Sequence, residues 1–470
     1  MEGEKLDRWG YPVRSNSDGC ISSINSYYHQ VLTYGRERAV IMEAAAEDPN
    51  CVLANVFAAY FLSSNNPSLA STHLASATSR LDQATSYEKA VFNAVSSLMA
   101  ENRDDDVALE SHSNLLKEFP RDLVSLKRAQ MLCFYLGRPD LSLQLVEQVL
   151  PQNQNESYIY GMLAFPLLEL ARMDDAEKAA RKGLDINKQD LWSQHCLCHV
   201  LQNDCLFKEA VEFMEACSSS WNSCSSFMYT HNWWHVAVCY LEGCSPLDKV
   251  LEVYDCHIWN ELQRSDADCG EVYLNALGLL LRVYVRGQGG FIENRLKFLA
   301  TCLMNEAIWH KEWLLDLLAL WALSSGKETH KAEDLLKSMK SRIYSMTEKK
   351  RQSMQRGMLL AEALYEYGRE NYERAFEVLG PDFDAGDFKM VGASDEQLDV
   401  FNEVWYSILL NTGRFSKAIE VIEKQIKKRE GAPFLWQLLE RAYSIAGRDD
   451  ASVVAERAKA LERAYFEQMV

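Results

Sequence analysis

The sequence predicts an all-α protein, a right-handed solenoid of repeated helix pairs that is either open or closed on itself. Three observations point to this class. Small residues recur at a fixed spacing, turn and capping residues follow the same phase, and strand-like alternation of polar and apolar residues is absent. The length of 470 residues agrees with this class, because each added repeat extends the hydrophobic core of a helical array, whereas a single compact core rarely grows so large.

The fixed spacing is set by small residues that let two helices approach closely. They are Ala108, Ser142, Ala176 and Ala210, and they follow one another at the 34-residue period of tetratricopeptide repeats. The segment 136–140 places glycine after a helix end and proline at the start of the next helix, the usual order of helix caps. Chance spacing of alanines does not explain why the capping residues keep the same phase.

The pattern is looser towards the carboxyl end. Small residues that follow glycine-containing or equivalent turns are Ala375, Ala418 and Ala451. Val250 is the next anchor after Ala210 and lies farther away than one period, so we expect an insertion in this repeat. The insertion is placed at residues 218–226, which are rich in serine and cysteine and could cover the groove as a lid.

The pattern predicts four segments along the chain. Residues 1–30 form an N-terminal extension, and residues 31–286 form a helical-repeat array with a groove rich in histidine and tryptophan. The glycines of 287–290 mark a joint, because glycine-rich segments interrupt helical patterns. Residues 291–470 form a second helical-repeat array.

Composition limits the partners. With 49 basic and 67 acidic residues the net charge is -18, which opposes binding to nucleic acids and to anionic membranes. The most apolar run, 313–323, is shorter than the roughly 20 residues that span a bilayer. No basic start followed by an apolar stretch is present, so we expect a cytoplasmic protein whose 13 cysteines are reduced.

Histidine and tryptophan are concentrated in one part of the chain. Five of the ten histidines fall within 195–257, and five tryptophans fall within 192–259. His195 and His199 are four residues apart, as are His231 and His235, and this spacing puts each pair on one face of a helix. Each pair could hold one ligand or metal ion.

These residues also carry a resemblance. The segments are Asp48-Pro49, the HCLCHV run 195–200, Trp221, the HNWWH run 231–235 and Tyr254-Asp255. Together they resemble the tetratricopeptide repeat protein 38 family, and in particular a plant-type member of it. The resemblance covers nearly the whole chain and implies the tetratricopeptide fold, but it implies no settled activity.

In the tetratricopeptide fold, positions 2, 5 and 9 of the first helix of each repeat line the concave groove. The resemblance therefore implies that His195, His199, His231 and His235 face one channel. Asp255 on the following helix would add a carboxylate as a ligand, as an outer partner or in catalysis. The expected ligand-contacting aromatic residues are Trp192, Trp234, Tyr158 and Tyr254.

Three interpretations of this constellation stay open on sequence alone. In the first, the residues either line a groove that binds a partner segment or simply pack in the core. In the second, the four imidazoles bind a divalent transition metal such as zinc, iron or nickel. In the third, the histidines act as general acid and base in a metal-free pocket for a small molecule. The sequence thus predicts a repeat protein that binds a protein segment or small molecule, and it leaves open whether the protein is an enzyme.

Overall fold

The computed structural model describes residues 3–101 and 103–466, so residues 1, 2 and 467–470 of the predicted terminal segments lie outside the described part. The described residues group into two compact units. The first contains the chain up to Leu197 together with Ser223–Ser225, and the second contains Cys198–Asn222 and the chain from Ser226 onwards.

The first unit begins with a short antiparallel hairpin in which Lys5 lies opposite Val13. Its elements are β1 (Glu4–Leu6), β2 (Pro12–Arg14), α1 (Asp18–Leu32), α2 (Val40–Glu47), α3 (Val52–Leu62), α4 (Pro67–Arg80), α5 (Ser86–Leu98), α6 (Asp105–Glu118), α7 (Leu123–Tyr135), α8 (Pro139–Val149), α9 (Ser157–Glu169) and α10 (Met173–Ile186). Helix α11 (Leu191–Asn203) has residues in both units.

The second unit is helical throughout its described residues. Its helices are α12 (Phe207–Cys217), α13 (Ser226–Glu242), α14 (Leu247–Val253), α15 (Cys269–Val283), α16 (Gly289–Leu303), α17 (Trp313–Ser325), α18 (Thr329–Tyr344), α19 (Glu348–Gly368), α20 (Tyr372–Leu379), α21 (Asp395–Asn411), α22 (Phe415–Ile426), α23 (Pro433–Ile445) and α24 (Ala451–Tyr465). Two π-helical turns, Tyr254–Ile258 and Tyr284–Gln288, extend α14 and α15.

The helices confirm the predicted all-α helical-repeat fold. Helices α7, α9 and α11 begin at Leu123, Ser157 and Leu191, which keeps the tetratricopeptide spacing. The predicted anchors Ala108 and Ala210 are fully buried, each on the second helix of a pair. Small side chains at these positions let the paired helices pack closely along their length.

The turns between paired helices follow the capping chemistry of the sequence. Gly137 has a φ of 64° after the end of α7, where a left-handed residue closes the helix. Pro139 then occupies the first turn of α8, where its missing N–H costs nothing. Ala171 and Cys205 adopt the same left-handed conformation after α9 and α11, so the turn recurs without glycine.

The glycine-rich segment 287–290 lies inside the second unit, between α15 and α16. Gly287 has a φ of 80° and breaks the helical path between the π-helical turn and α16. The division of the chain into an extension (1–30), two arrays (31–286 and 291–470) and a joint at 287–290 stays a prediction. No helix among the described residues is both long and apolar enough to cross a membrane.

A glycine permits one of the closest helix approaches in the first unit. A methyl group added at Gly161 on α9 would lie 2.9 Å from the backbone nitrogen of Ser193 and 3.0 Å from the carbonyl carbon of Trp192. Backbone atoms cannot move aside as a flexible side chain does, so α9 would have to shift away from the start of α11.

We therefore predict that Gly161→Ala lowers the free energy of unfolding by about 1–3 kcal/mol, the usual cost of overpacking. Urea unfolding followed by circular dichroism measures it. The control is Gly290→Ala, because nothing lies within 4 Å of a methyl group at that helical position. Equal stability of Gly161→Ala and the unmodified protein would contradict the close approach.

Candidate metal centre

The histidine pairs lie on α11 and α13, as the sequence predicts. Helix α13 is buried on nearly every side: fourteen of its residues, including His231, His235 and both tryptophans, are buried. A helix that is apolar all round belongs to the interior of a protein. The imidazoles on α13 are therefore enclosed by packing and do not line an open surface.

Within the second unit, His199, His235 and Glu396 come together from three helices. One ligand atom from each lies within 4.8 Å of the other two. The Glu396 Oε2 is 2.8 Å from Nδ1 of His199 and 3.3 Å from Nδ1 of His235. The two imidazole rings meet edge to face with centroids 4.5 Å apart. His235 is fully buried, and although the Glu396 side chain is 17% exposed, the Oε2 atom that faces the imidazoles is buried.

Glu396 lies in the first turn of α21, and this placement has a local cause. Ser394 caps the helix by accepting a hydrogen bond from the backbone N–H of Gln397, whose side chain accepts one from the Ser394 backbone. This reciprocal capping box fixes where the helix starts. The carboxylate of Glu396 therefore projects from a helix end whose position is well defined.

His231 extends the group along α13, and its protonation follows from its partners. Thr230 Oγ1 donates to the backbone carbonyl of Ser226, so it accepts from Asn275 Nδ2 at 2.8 Å. Asn275 Oδ1 must then accept from Nδ1 of His231, 2.9 Å away, and the lone pair of His231 lies on Nε2. Burial lowers the pKa of His231 to about 3, so the ring is neutral at pH 7.

Gln202 and two thiols border the same group. Gln202 Oε1 lies 3.3 Å from Nδ1 of His235 and accepts a hydrogen bond from Cys239 at 3.7 Å. A hydrogen bond with Cys198 and burial raise the pKa of the Cys239 thiol well above its ordinary value. Cys239 therefore stays protonated at neutral pH, and a thiol is a poor metal ligand compared with the nearby imidazoles.

A chain of buried charges holds Glu396 in place. Arg282 on α15 donates to the backbone carbonyl of Glu396 and pairs with Glu403 at 2.9 Å. Arg286 pairs with Glu403 at 2.6 Å and also with Glu242. Burial alone would raise the pKa of Glu242, but the guanidinium groups around it lower the pKa to about 2. These ion pairs join α13, α15 and α21.

The other end of this chain borders a small cavity. Arg429, which follows α22, pairs with Glu242 at 2.8 Å and donates to the backbone carbonyl of Gln202. The cavity beside Arg429 has room for about one water molecule. It belongs to the charged network and is too small to hold a ligand.

The structure places the remaining predicted residues as follows. In the first unit, His195 is buried and stacks on Trp192 with ring centroids 4.6 Å apart. Tyr158 is half-buried, and its hydroxyl lies 3.3 Å from Nδ1 of His29. That His195 joins the other three imidazoles, and that Trp192 and Tyr158 contact a shared ligand, stay predictions.

In the second unit, Trp234 stacks on His231 with ring centroids 5.2 Å apart. Tyr254 is buried and stacks on Trp259 with ring centroids 6.0 Å apart, and its contact with a ligand stays a prediction. Asp255 is half-exposed, and its carboxylate is bound by Arg295 at 2.6 Å. Among the described residues the three-ligand groups contain Glu396 and not Asp255, and the expected role of Asp255 stays a prediction.

Sequence reasoning missed Glu396, Asn275, Gln202 and Arg282. The only local signal was the capping pattern at Ser394 and Gln397, which marks a helix start but gives no hint of a site. All four residues act through contacts between helices that are far apart along the chain. The histidine pairs could be found because their spacing of four is local.

Comparison with known proteins concerns the fold alone. No protein-family model matches the chain. A monomeric mutant of IFIT1 with Gppp-AAAA shares 11% identity at a TM-score of 0.39, over 92% of this chain and 95% of that one. The human IFIT1 dimer with PPP-AAAA shares 12% identity at a TM-score of 0.38, over 95% and 91%. These comparisons do not support the resemblance to the tetratricopeptide repeat protein 38 family.

The buried ion pairs predict a large cost for removing one partner. Replacing Glu403 by Gln leaves Arg282 and Arg286 without a shared carboxylate, and we expect the free energy of unfolding to fall by about 3–5 kcal/mol. Thermal and urea unfolding measure this. The control is Glu373→Gln, whose exposed ion pair with Arg414 should contribute less than about 1 kcal/mol. Equal effects of the two substitutions would argue against the network.

Proposed function

We propose that this helical-repeat protein binds a divalent transition metal through His199, His235 and Glu396, with zinc or iron(II) as the candidate ions. The observation that carries the proposal is the meeting of two imidazoles and one carboxylate within 4.8 Å inside the second unit. Two histidines and one carboxylate form the ligand set of many catalytic zinc sites and of mononuclear iron(II) sites.

The spacing of the ligand atoms supports this ligand set. Bonds of roughly 2.0–2.2 Å to one ion bring its ligand atoms to about 3 Å from one another. The distances of 2.8 and 3.3 Å from Glu396 to the two imidazoles are of this size. Among the described residues Glu396 Oε2 has no hydrogen-bond partner, so its lone pairs are available to an ion.

The surroundings favour a reactive ion over a purely structural one. Three protein ligands leave at least one coordination position for water or a substrate. His231 offers an imidazole nitrogen within 4.8 Å of one from His235 and is neutral at pH 7, so it can serve as a further ligand. Arg282 donates a hydrogen bond to the backbone carbonyl of Glu396 and so restrains it. Metal ligands are commonly held in place by such contacts from residues that do not touch the metal.

The test is the metal content of the full-length chain, purified without chelators and measured by mass spectrometry. We expect about one transition-metal ion per chain, and loss of it in His199→Ala, His235→Ala and Glu396→Gln. The matched control is His330→Ala, because the His330 side chain is 87% exposed and lies outside the group. Binding should also stabilise the fold by about 2.7 kcal/mol at a metal concentration 100 times the Kd.

If the chain is isolated without metal, calorimetric titration with zinc and with anaerobic iron(II) decides the question. Binding of neither ion, or equal binding by the unmodified protein and His199→Ala/His235→Ala, would overturn the proposal. In that case the close approach of Glu396 to the two imidazoles points to acid–base chemistry without metal.

A second function, binding of an apolar partner segment, is favoured by one face of the first unit. Trp192 contacts Tyr34 and Phe165 with ring centroids 5.0 and 4.9 Å apart, and all three rings are half-buried. Lys127 Nζ lies 3.1 Å from the centre of the Tyr34 ring, but it donates to the backbone carbonyl of Val31, and burial lowers its pKa well below the ordinary value. The aromatic rings themselves suit an apolar segment.

Anilinonaphthalene sulfonate, an anionic aromatic dye, probes this face. We expect the dye to bind the full-length protein and Trp192→Ala to weaken binding by about 2- to 10-fold, the worth of one aromatic contact. Trp436→Ala, which removes a half-buried tryptophan of the second unit, serves as control. Unchanged dye binding in Trp192→Ala would exclude the aromatic face as the binding surface.

A further inference from the structure

Asp316, His310 and Ser338 form a hydrogen-bonded series in the second unit, apart from the residues of the metal proposal. His310 Nδ1 lies 2.9 Å from Asp316 Oδ2, and His310 Nε2 lies 2.7 Å from Ser338 Oγ. The Asp316 side chain is 3% exposed and that of His310 is 25% exposed. Ser338 is half-buried, so the series runs from a buried carboxylate to a hydroxyl that solvent can reach.

The partners fix the direction of each hydrogen bond. Asp316 Oδ1 accepts from the backbone N–H of His310, and its other oxygen accepts from Nδ1–H. The lone pair of His310 is then on Nε2, where it accepts the hydroxyl proton of Ser338. This is the order of donors and acceptors in which an imidazole acts as base towards a serine and a carboxylate orients the imidazole.

The backbone holds His310 rigidly in this orientation. Its φ of 63° is unusual for a residue with a side chain, and such conformations persist only where surrounding contacts enforce them. One contact is the bond from its N–H to Asp316, and a second is the bond of 2.6 Å that its carbonyl accepts from Arg342. The loop that carries His310 is thus bound to both α17 and α18.

Serine hydroxyls in the helices of this protein usually bond to their own helix. Ser26 donates to the carbonyl of Ser22, and Ser111 donates to that of Val107. Such bonds to the preceding turn are the default for serine inside a helix. Ser338 bonds instead to the imidazole of His310. The His310–Asp316 hydrogen bond alone would hold the loop against α17, so the bond to Ser338 is not required for that purpose.

We propose that Ser338 is an activated nucleophile, with His310 as its base and Asp316 as the positioning residue, and that the site transfers acyl groups from activated esters to water. Arg342 lies four residues after Ser338, one turn along the same face of α18, where its charge can stabilise a developing oxyanion. Ser338 lies within the helix, so its own N–H is bonded to the helix backbone and does not assist. The site therefore suits esters with a good leaving group and not amides.

The reaction consumes one ester and one water. Ser338 Oγ forms a bond to the acyl carbon while its proton moves to Nε2 of His310, and the C–O bond to the leaving group breaks as that group takes the proton. Water then attacks the acyl carbon and gives a proton to Nε2. The bond to Oγ breaks, Ser338 regains the proton, and the carboxylic acid leaves.

A fluorophosphonate probe and p-nitrophenyl acetate test the proposal on the full-length protein. The probe should form an Oγ–phosphorus bond at Ser338 with loss of fluoride, located by peptide mass spectrometry. Ser338→Ala should abolish labelling and ester hydrolysis, and His310→Gln should slow both by about 10²–10⁴-fold. Asp316→Asn should also slow both, because the imidazole loses the acceptor that fixes its orientation.

Ser341→Ala is the matched control, because Ser341 is an exposed serine of the same helix three residues further on. It should label and hydrolyse like the unmodified protein. Thermal unfolding of each variant separates lost reactivity from lost folding. A folded, unmodified protein that is not labelled at Ser338, or one whose labelling rate is the same in His310→Gln, would overturn the proposal and leave the series as a link between the loop, α17 and α18.

Discussion

The Arg282 side chain joins α15 to α21 through its ion pair with Glu403 and its hydrogen bond to the backbone carbonyl of Glu396. Both partners lie on α21, one near its start and one two turns on, so a single guanidinium fixes the helix in position and rotation. Arg282 is itself nearly fully buried, and a buried charge is tolerated only when its partners remain in place. The carboxylate of Glu396 reaches His199 and His235 because this constraint holds.

The charged network also explains why polar side chains persist inside a helical-repeat core. Arg286, Arg429 and Glu242 continue the chain of ion pairs, so each buried charge has at least one opposite partner. A core of apolar residues would be at least as stable, because desolvating charges offsets much of their attraction. Ion pairs and hydrogen bonds position Glu396 more precisely than apolar contacts would, because apolar contacts have little directional preference.

The two polar constellations of the second unit use histidine in different ways. His235 is fully buried among helices, and its Nδ1 lies 3.3 Å from both a carboxylate oxygen of Glu396 and the amide oxygen of Gln202. His310 lies in a loop between helices, where one ring nitrogen donates to a carboxylate and the other accepts from a hydroxyl. The first arrangement offers lone pairs to an ion, and the second directs one lone pair at a nucleophile. Both depend on a carboxylate from a different segment.

The sequence by itself determined the helical-repeat class, the positions of the turns and the two histidine pairs. These features are local: the anchors, the capping residues and the spacing of four are set within one helix pair, so period and cap chemistry reveal them. Only the tertiary structure decided which carboxylate meets the histidines. Glu396 reaches the histidines from a helix nearly 200 residues after His199, whereas Asp255 is bound by Arg295 and its expected role beside the histidines stays a prediction. The series of Asp316, His310 and Ser338 is likewise invisible in the sequence, because it depends on the left-handed backbone of His310 and on how α17 packs against α18.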